Sequence, residues 1–238
     1  MNLTVDYQWP IVFADYDGAD KTSFMWWTMK HLSSVRVHIA AQLHVYKALA
    51  RHTKEINAVT EFFGGCGFGT AMVQGIFQPA GHDVIDLDVN CVNHLQRQGF
   101  FGEVNVNQGD AKDAMLLPLH ADLLVCDFFS FTPVRIPEWK PQLDNLFASN
   151  PKAVQITDTS LARTHLHRGR YGVALGETFE TRDEYFNAWN HWAQREYGYN
   201  LLAAGYREFA AMMFVQEEVS HPQVKHLTSV DGNEAVQS

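Results

Sequence analysis

The sequence lacks a long apolar run, a paired-cysteine pattern and an excess of basic residues, and each absence excludes a class of protein. No apolar run is long enough to span a bilayer, and Met1–Pro10 has no basic start followed by an apolar segment, as a signal peptide would. We therefore expect a cytoplasmic protein that does not enter a membrane. The three cysteines, Cys66, Cys91 and Cys126, are spaced too widely for a zinc CxxC pair or a disulfide framework.

The charge balance is acidic, since 18 Lys and Arg residues stand against 27 Asp and Glu, a net charge of −9. Such a chain is not drawn non-specifically to a polyanion, although a local basic face remains compatible with nucleic acid. The most basic stretch, Arg163–Tyr171, either contacts phosphates and bases or is a solvated loop. It contains His165 and His167, for which the sequence allows three interpretations: a general base, metal ligands or ordinary loop residues. No third ligand is evident, so we predict no metal site.

The hydrophobic pattern predicts an α/β protein. Apolar residues recur every three or four positions from His31 to Thr53, which is typical of an amphipathic helix. Between Ile56 and Thr157, five short apolar strands alternate with helices, and Asn200–Glu217 adds a closing pair of strands. This order predicts a doubly wound, mostly parallel seven-stranded sheet with helices on both faces, a Rossmann-like fold.

Composition divides the chain into three predicted parts. Residues 1–53 form an N-terminal aromatic segment and a helix that packs on the main domain. Residues 54–220 form the Rossmann-like domain, and residues 221–238 are polar, which predicts a mobile tail. The aromatic residues Trp26 and Trp27 in the first part either cover a ligand or belong to the core, which is the commoner case.

A glycine-rich segment lies between the first strand and the helix after it: Glu61-Phe62-Phe63-Gly64-Gly65-Cys66-Gly67-Phe68-Gly69-Thr70. Glycines let a backbone turn sharply and approach a ligand closely, and the following helix presents free N–H groups. The dinucleotide pattern GxGxxG fails here, because its third glycine falls on Thr70 or Met72. The phrase Phe63-Gly64-Gly65-Cys66-Gly67 instead resembles motif I of class I S-adenosylmethionine-dependent methyltransferases, in the FxGxG form of nucleic-acid methyltransferases. A turn without a ligand is the alternative interpretation.

Acidic residues follow the next three strands in the order that this resemblance implies. The predicted second strand, Asp83–Asp88, ends in acids. The resemblance implies that Asp88 binds the ribose hydroxyls, and Asp86 is the second candidate for this function. It implies that Asp110 and its neighbour Ala111 bind the adenine amino edge. It also implies that Asp127, which ends the fourth strand, lies beside the transferred methyl group. For each acid, an ordinary turn residue is the alternative.

The resemblance therefore implies an S-adenosylmethionine-dependent methyltransferase with Asp127 and Ser130 as catalytic residues. The segment from Asp127 to Phe131 carries the acid and aromatics of amino-methylating enzymes but neither of their prolines, and it has no Pro-Cys nucleophile for attack on cytosine C5. We expect a nucleobase or nucleic-acid acceptor. A small-molecule or protein acceptor, or a non-catalytic S-adenosylmethionine-binding partner subunit, is the alternative. The implied cofactor-binding residues are Glu61, Phe63, Gly64, Gly65, Cys66, Gly67, Asp88, Asp110, Ala111 and Asp127.

Overall fold

A computed structural model describes residues 32–53, 55–100, 102–127, 136–158, 181–206 and 210–227. Within these ranges helices and strands alternate through most of the chain. The elements are α1 (Leu32–His52), β1 (Ala58–Phe62), α2 (Phe68–Phe77), β2 (Gly81–Asp86), α3 (Val89–Arg97), β3 (Val104–Gln108), α4 (Ala111–Ala114), β4 (Leu123–Asp127), α5 (Ile136–Ala148), β5 (Ala153–Asp158), α6 (Arg182–Tyr197), β6 (Asn200–Tyr206), β7 (Ala210–Val215) and β8 (Gln223–His226).

The strands form one sheet in the order β3-β2-β1-β4-β5-β7-β6-β8. Strands β1 to β5 are parallel, and β7 runs antiparallel to both of its neighbours. The predicted doubly wound, mostly parallel architecture is confirmed. The order reverses at β1, which lies between β2 and β4, and ligands of open α/β sheets bind beside such a switch point.

An eighth strand corrects the prediction of seven strands and of a mobile tail that begins at residue 221. Strand β8 pairs in parallel with the edge of β6, and Leu227 just after it is buried and donates its N–H to Tyr206 O. Every residue of β8 is exposed. An edge strand open to solvent needs no alternating apolar pattern, so this polar segment carried no strand signal.

The core lies on both faces of the sheet, and β4 shows why. Successive strand residues point to opposite faces, and here four in a row are buried: Leu123 and Val125 contact one cluster, Leu124 and Cys126 the other. The first cluster lies beneath α1 and α2 and the second beneath α5 and α6. By this alternation Asp127, the last residue of β4, faces α1.

Helix α1 lies against β6 and β7 at very close range. A Cβ placed on Gly205 of β6 would lie 3.0 Å from the Cα and carbonyl oxygen of Ala41, so only glycine permits this approach. Tyr46 and Leu49, which belong to the same helix, are fully buried. In the described ranges no helix has the length and apolarity to cross a membrane.

The helix ends follow the expected chemistry with one exception. Thr181 and Glu184 form a capping box at the start of α6, and Gly198 ends that helix in the left-handed conformation. Helix α3 is the exception, because it ends at Arg97 with extended Gln98, and not the nearby Gly99, as its cap.

Candidate functional site

The glycine loop turns sharply between β1 and α2. Phe63, Gly65 and Gly67 have positive φ angles of 64°, 54° and 81°. The N–H of Phe63 donates to Ile85 O at 2.9 Å, which places the loop over the end of β2. Gly67 is the N-cap of α2 and has no side chain to cap it. The first turn of that helix therefore begins at the loop with backbone N–H groups that no N-cap side chain binds.

Close packing within the protein accounts for three of the loop's glycines. An added Cβ would lie 2.3 Å from Val84 Cγ1 at Gly64 and 2.6 Å from Leu95 Cδ2 at Gly67. At Gly69 it would lie 2.6 Å from Oε1 of Glu61. Their missing side chains make room for β2, α3 and Glu61, and binding of a cofactor by the loop remains a prediction.

Glu61 lies beneath the loop, buried to 1% exposure. Its Oε2 accepts hydrogen bonds from Thr70 Oγ1 at 2.8 Å and from His82 Nε2 at 3.1 Å. The other ring nitrogen of His82 is 3.2 Å from Gln74 Nε2. A buried carboxylate needs such partners, and these bonds tie the loop to β2 and α2. Direct contact between Glu61 and a cofactor remains a prediction.

Asp86, and not Asp88, is the acid that ends β2. Its Oδ2 accepts from Gly65 N at 2.7 Å and its Oδ1 from Asp88 N at 2.8 Å. Burial raises the pKa of Asp86, although these two N–H donors partly oppose the shift. Asp88 is the N-cap of α3, and its Oδ1 accepts from both the backbone N–H and the side-chain amide of Asn90. Strand β2 thus ends at Asp86, and Asp88 begins the following helix.

The other two predicted acids lie at the same edge of the sheet. In the parallel register Phe62 pairs with both Ile85 and Cys126, and Asp86 pairs with Gln108, so the ends of β1 to β4 meet. Asp110, two residues beyond β3, is exposed and caps α4 by accepting from Lys112 N at 2.8 Å. Ala111 is buried at the first position of that helix.

Asp127 at the end of β4 is held by two residues that the sequence analysis missed. Its Oδ2 lies 3.0 Å from Nε2 of His38 and accepts from Nε2 of Gln42 at 2.9 Å. Both partners are on α1 and are buried, with 3% and 0% exposure. Oδ1 of Asp127 is also buried, and no described residue donates to it. Positions 38, 42, 45 and 49 form one helical face, so polar residues on a buried stripe were the available signal.

Two cysteines pack beside the loop. Cys66 in the loop and Cys91 in α3 pack against each other, and the neighbouring Cys66 thiol together with burial raises the pKa of Cys91. Burial, with a smaller effect of Asp127, also raises the pKa of Cys126. All three cysteines are free and buried, as expected.

Several predicted features lie outside the described residues: Ser130, the basic stretch Arg163–Tyr171 with His165 and His167, and the aromatics Trp26 and Trp27. Within the described ranges, no three His, Cys, Asp or Glu side chains converge as metal ligands would.

Comparison with known proteins gives a fold and no close relative. No family model and no curated protein matches the sequence. Among solved structures, Trm1 from Pyrococcus horikoshii in complex with S-adenosylmethionine superposes with a TM-score of 0.55 at 13% identity, over 76% of this chain and 54% of that one. The chain thus spans about half the length of Trm1.

Two further structures match along most of their own length. Magnesium protoporphyrin IX methyltransferase from Synechocystis PCC 6803, with bound S-adenosylhomocysteine, gives a TM-score of 0.53 at 13% identity, over 85% of this chain and 90% of that one. The methyltransferase domain of bacterial CtHen1-C gives 0.52 at 12% identity, over 76% and 100%. The chain therefore has the class I methyltransferase fold, with β7 antiparallel as in that architecture and β8 as an addition.

Proposed function

We propose that the protein is an S-adenosylmethionine-dependent methyltransferase whose active site lies at the carboxyl ends of β1 to β4. One observation carries the proposal: the Gly65–Asp86 hydrogen bond joins the glycine loop to the acid that ends β2, beside the switch point of the sheet. Asp110 and Asp127 follow the next strands at the same edge. The methyltransferase fold supports this assignment.

Asp86 fits the ribose better than Asp88 does. A carboxylate oxygen can accept about two hydrogen bonds, and each oxygen of Asp86 accepts one within the protein. Two acceptor sites thus remain, one on each oxygen, which matches the two hydroxyls of a ribose diol. Oδ1 of Asp88 already accepts two bonds from Asn90. We therefore assign the ribose to Asp86 and an N-capping function to Asp88.

The adenine ring would lie between β2 and α4. Leu87 follows the partly buried Asp86 directly and is 64% exposed. It offers an apolar surface to the ring. At the ring's polar edge, Oδ1 of Asp110 accepts from Lys112 N, which leaves Oδ2 to accept from the amino group. The N–H of Ala111, at the start of a helix, has no partner within that helix and can donate to a ring nitrogen.

The methyl acceptor would bind at Asp127. S-adenosylmethionine, when bound, supplies a methyl group activated by a sulfonium. The protein has to align the acceptor for in-line attack, and removes a proton where the acceptor carries one. Oδ1 of Asp127 would accept the hydrogen bond from the methyl acceptor, since His38 and Gln42 bind only Oδ2. The predicted partner in catalysis, Ser130, follows three residues later.

For the acceptor we propose a nucleobase, free or within a nucleic acid. The FxGxG phrase and the acid followed by aromatics after β4 support it, and the net charge of −9 does not favour a polyanion. A small-molecule or protein acceptor is the second candidate. A cofactor-binding subunit without catalysis is the third, because the prolines of the amino-methylating motif are absent.

Calorimetry with S-adenosylmethionine and S-adenosylhomocysteine tests the cofactor assignment. Both should bind, and Asp86→Ala should weaken binding by about 10- to 100-fold, since hydrogen bonds to a charged group contribute about 1.5–3 kcal/mol. Asp83→Ala is the matched control, because this exposed acid of the same strand bonds only to Asn105 among described residues. Absence of binding by either ligand contradicts the proposal. If Asp88→Ala weakens binding more than Asp86→Ala does, the ribose assignment is wrong.

Labelled methyl transfer from S-adenosylmethionine to separate pools of DNA, RNA, protein and metabolites then identifies the acceptor. A nucleobase acceptor predicts label in DNA or RNA that is recovered as a methylated base after digestion. Label in the protein or metabolite pool supports the second candidate. Cofactor binding without label in any pool supports the non-catalytic subunit.

A further inference from the structure

Asp127 has an asymmetric environment. Its Oδ2 receives two hydrogen bonds from α1, one from His38 and one from Gln42, while Oδ1 is buried and no described residue donates to it. A buried carboxylate oxygen without a donor is costly. Such an atom at the end of β4, at the edge where ligands of this fold bind, indicates a missing donor that a substrate supplies.

Helix α1 holds its two donors firmly in place. Ala41, between them in sequence, lies against the backbone of β6 at Gly205. Gln42 also lies close to the glycine loop: its Nε2 is 3.8 Å from the position that a Cβ on Gly69 would take. The packing of α1 on β6 therefore fixes the helix that carries both donors, and their two hydrogen bonds to Oδ2 restrict rotation of the carboxylate.

We propose that His38 and Gln42 are positioning residues that bind Oδ2 of Asp127 and so direct Oδ1 towards the methyl acceptor. The acceptor is then a group with a hydrogen on nitrogen or oxygen, an amine, amide or hydroxyl, because Oδ1 can only accept a hydrogen bond. A carboxylate acceptor is excluded, since two carboxylates at this distance repel each other. This inference rests on the proposed methyltransferase function and specifies its substrate class.

The proton balance agrees with this arrangement. The lone pair of the acceptor nitrogen or oxygen forms the new bond to the methyl carbon, and the bond between that carbon and sulfur breaks with its electron pair left on sulfur. The acceptor's hydrogen then leaves as a proton to Oδ1 of Asp127 and from there to solvent. His38 and Gln42 keep their bonds to Oδ2 throughout.

Two cofactor analogues test the inference without knowledge of the acceptor. S-adenosylhomocysteine has no group at the methyl position, whereas sinefungin has an amine there that donates hydrogen bonds. Wild-type protein should bind sinefungin more tightly, and this preference should fall about tenfold or more in His38→Leu and in Gln42→Leu, since a charge-assisted hydrogen bond is lost or misdirected. Binding of S-adenosylhomocysteine should stay unchanged and shows that the variants are folded.

The controls separate positioning from charge and from packing. His38→Gln retains an N–H at the position of Nε2 and should keep the sinefungin preference. His44→Leu removes a histidine of the same helix that contacts Gln223 O, far from Asp127, and should also keep it. An unchanged preference in both His38→Leu and Gln42→Leu, or no preference in the wild type, overturns the inference while the methyltransferase proposal stands. If neither analogue binds the wild type, the methyltransferase proposal itself fails.

Discussion

Replacing Gly67 by alanine should destabilise the protein strongly, and the structure gives the size of the effect. Gly67 has φ +81°, and a left-handed conformation costs a residue with a Cβ about 1–2 kcal/mol. The new Cβ would also lie 2.6 Å from Leu95 Cδ2. Leu95 is 1% exposed, so its displacement disturbs the surrounding core, and such overpacking costs about 1–3 kcal/mol. Together the free energy of unfolding should fall by about 2–5 kcal/mol.

Gly75→Ala is the matched control, since it lies in α2 only eight residues further along. Nothing lies within 4 Å of the Cβ it would gain, and alanine in a helix is favoured over glycine by about 0.5–1 kcal/mol. Urea unfolding followed by circular dichroism measures both variants, with the slope m checked for constancy. A loss below about 1 kcal/mol in Gly67→Ala, or an equal loss in both variants, would refute the packing account of the loop.

Three further predictions concern pH, an ion pair and the core. Burial raises the pKa of Asp86, so the affinity for S-adenosylhomocysteine should fall as the pH drops, and it should begin to fall above the ordinary pKa of an aspartate. Calorimetry measures this affinity. The Asp86→Asn variant should bind weakly at every pH and show no such fall. Burial opposes ionisation of Asp122, but N–H donors, first that of Asn57, and Lys152 outweigh it and lower its pKa, so its stabilisation holds above about pH 4 and is lost as the pH falls towards the folded-state pKa. Asp122→Ala should cost about 1–2 kcal/mol at pH 7 and progressively less as the pH falls below about 4 in denaturant titrations, and a cost that does not depend on pH would contradict this. Phe147→Ala should cost about 3–5 kcal/mol, because four aromatic rings contact this buried side chain; a loss within 1 kcal/mol would show that the cluster repacks.

Local patterns predicted most of the fold. The run Leu123–Cys126 is apolar at every position, which is expected where both faces of a parallel strand are buried, and the structure buries all four residues. Thr181 and Glu184 determine a helix start through bonds between residues three apart, so the sequence suffices there. Strand β8 escaped prediction because its pairing partner β6 and the buried Leu227 stabilise it, and its own side chains are exposed.

Within the candidate site, the sequence predicts the position of a residue only where that residue directly follows a strand. Asp127 follows an apolar run directly, so its place at the edge of the sheet follows from the sequence. Its partners His38 and Gln42 are 89 and 85 residues away, and only the packing of α1 on the sheet brings them there. The choice between Asp86 and Asp88 depended on where β2 ends, a boundary that alternating acids leave ambiguous.

The contact of Ala41 with Gly205 has a consequence for synthesis of the protein. The ribosome produces α1 before the central strands, but the strands on which α1 rests, β6 and β7, emerge after most of the chain. Until they emerge, α1 lacks the two strands on which it packs most extensively, and its support of the carboxylate of Asp127 is incomplete. A nascent chain that already contains the whole glycine loop therefore still lacks part of the support for Asp127, and this support is complete only after β6 and β7 have joined the sheet.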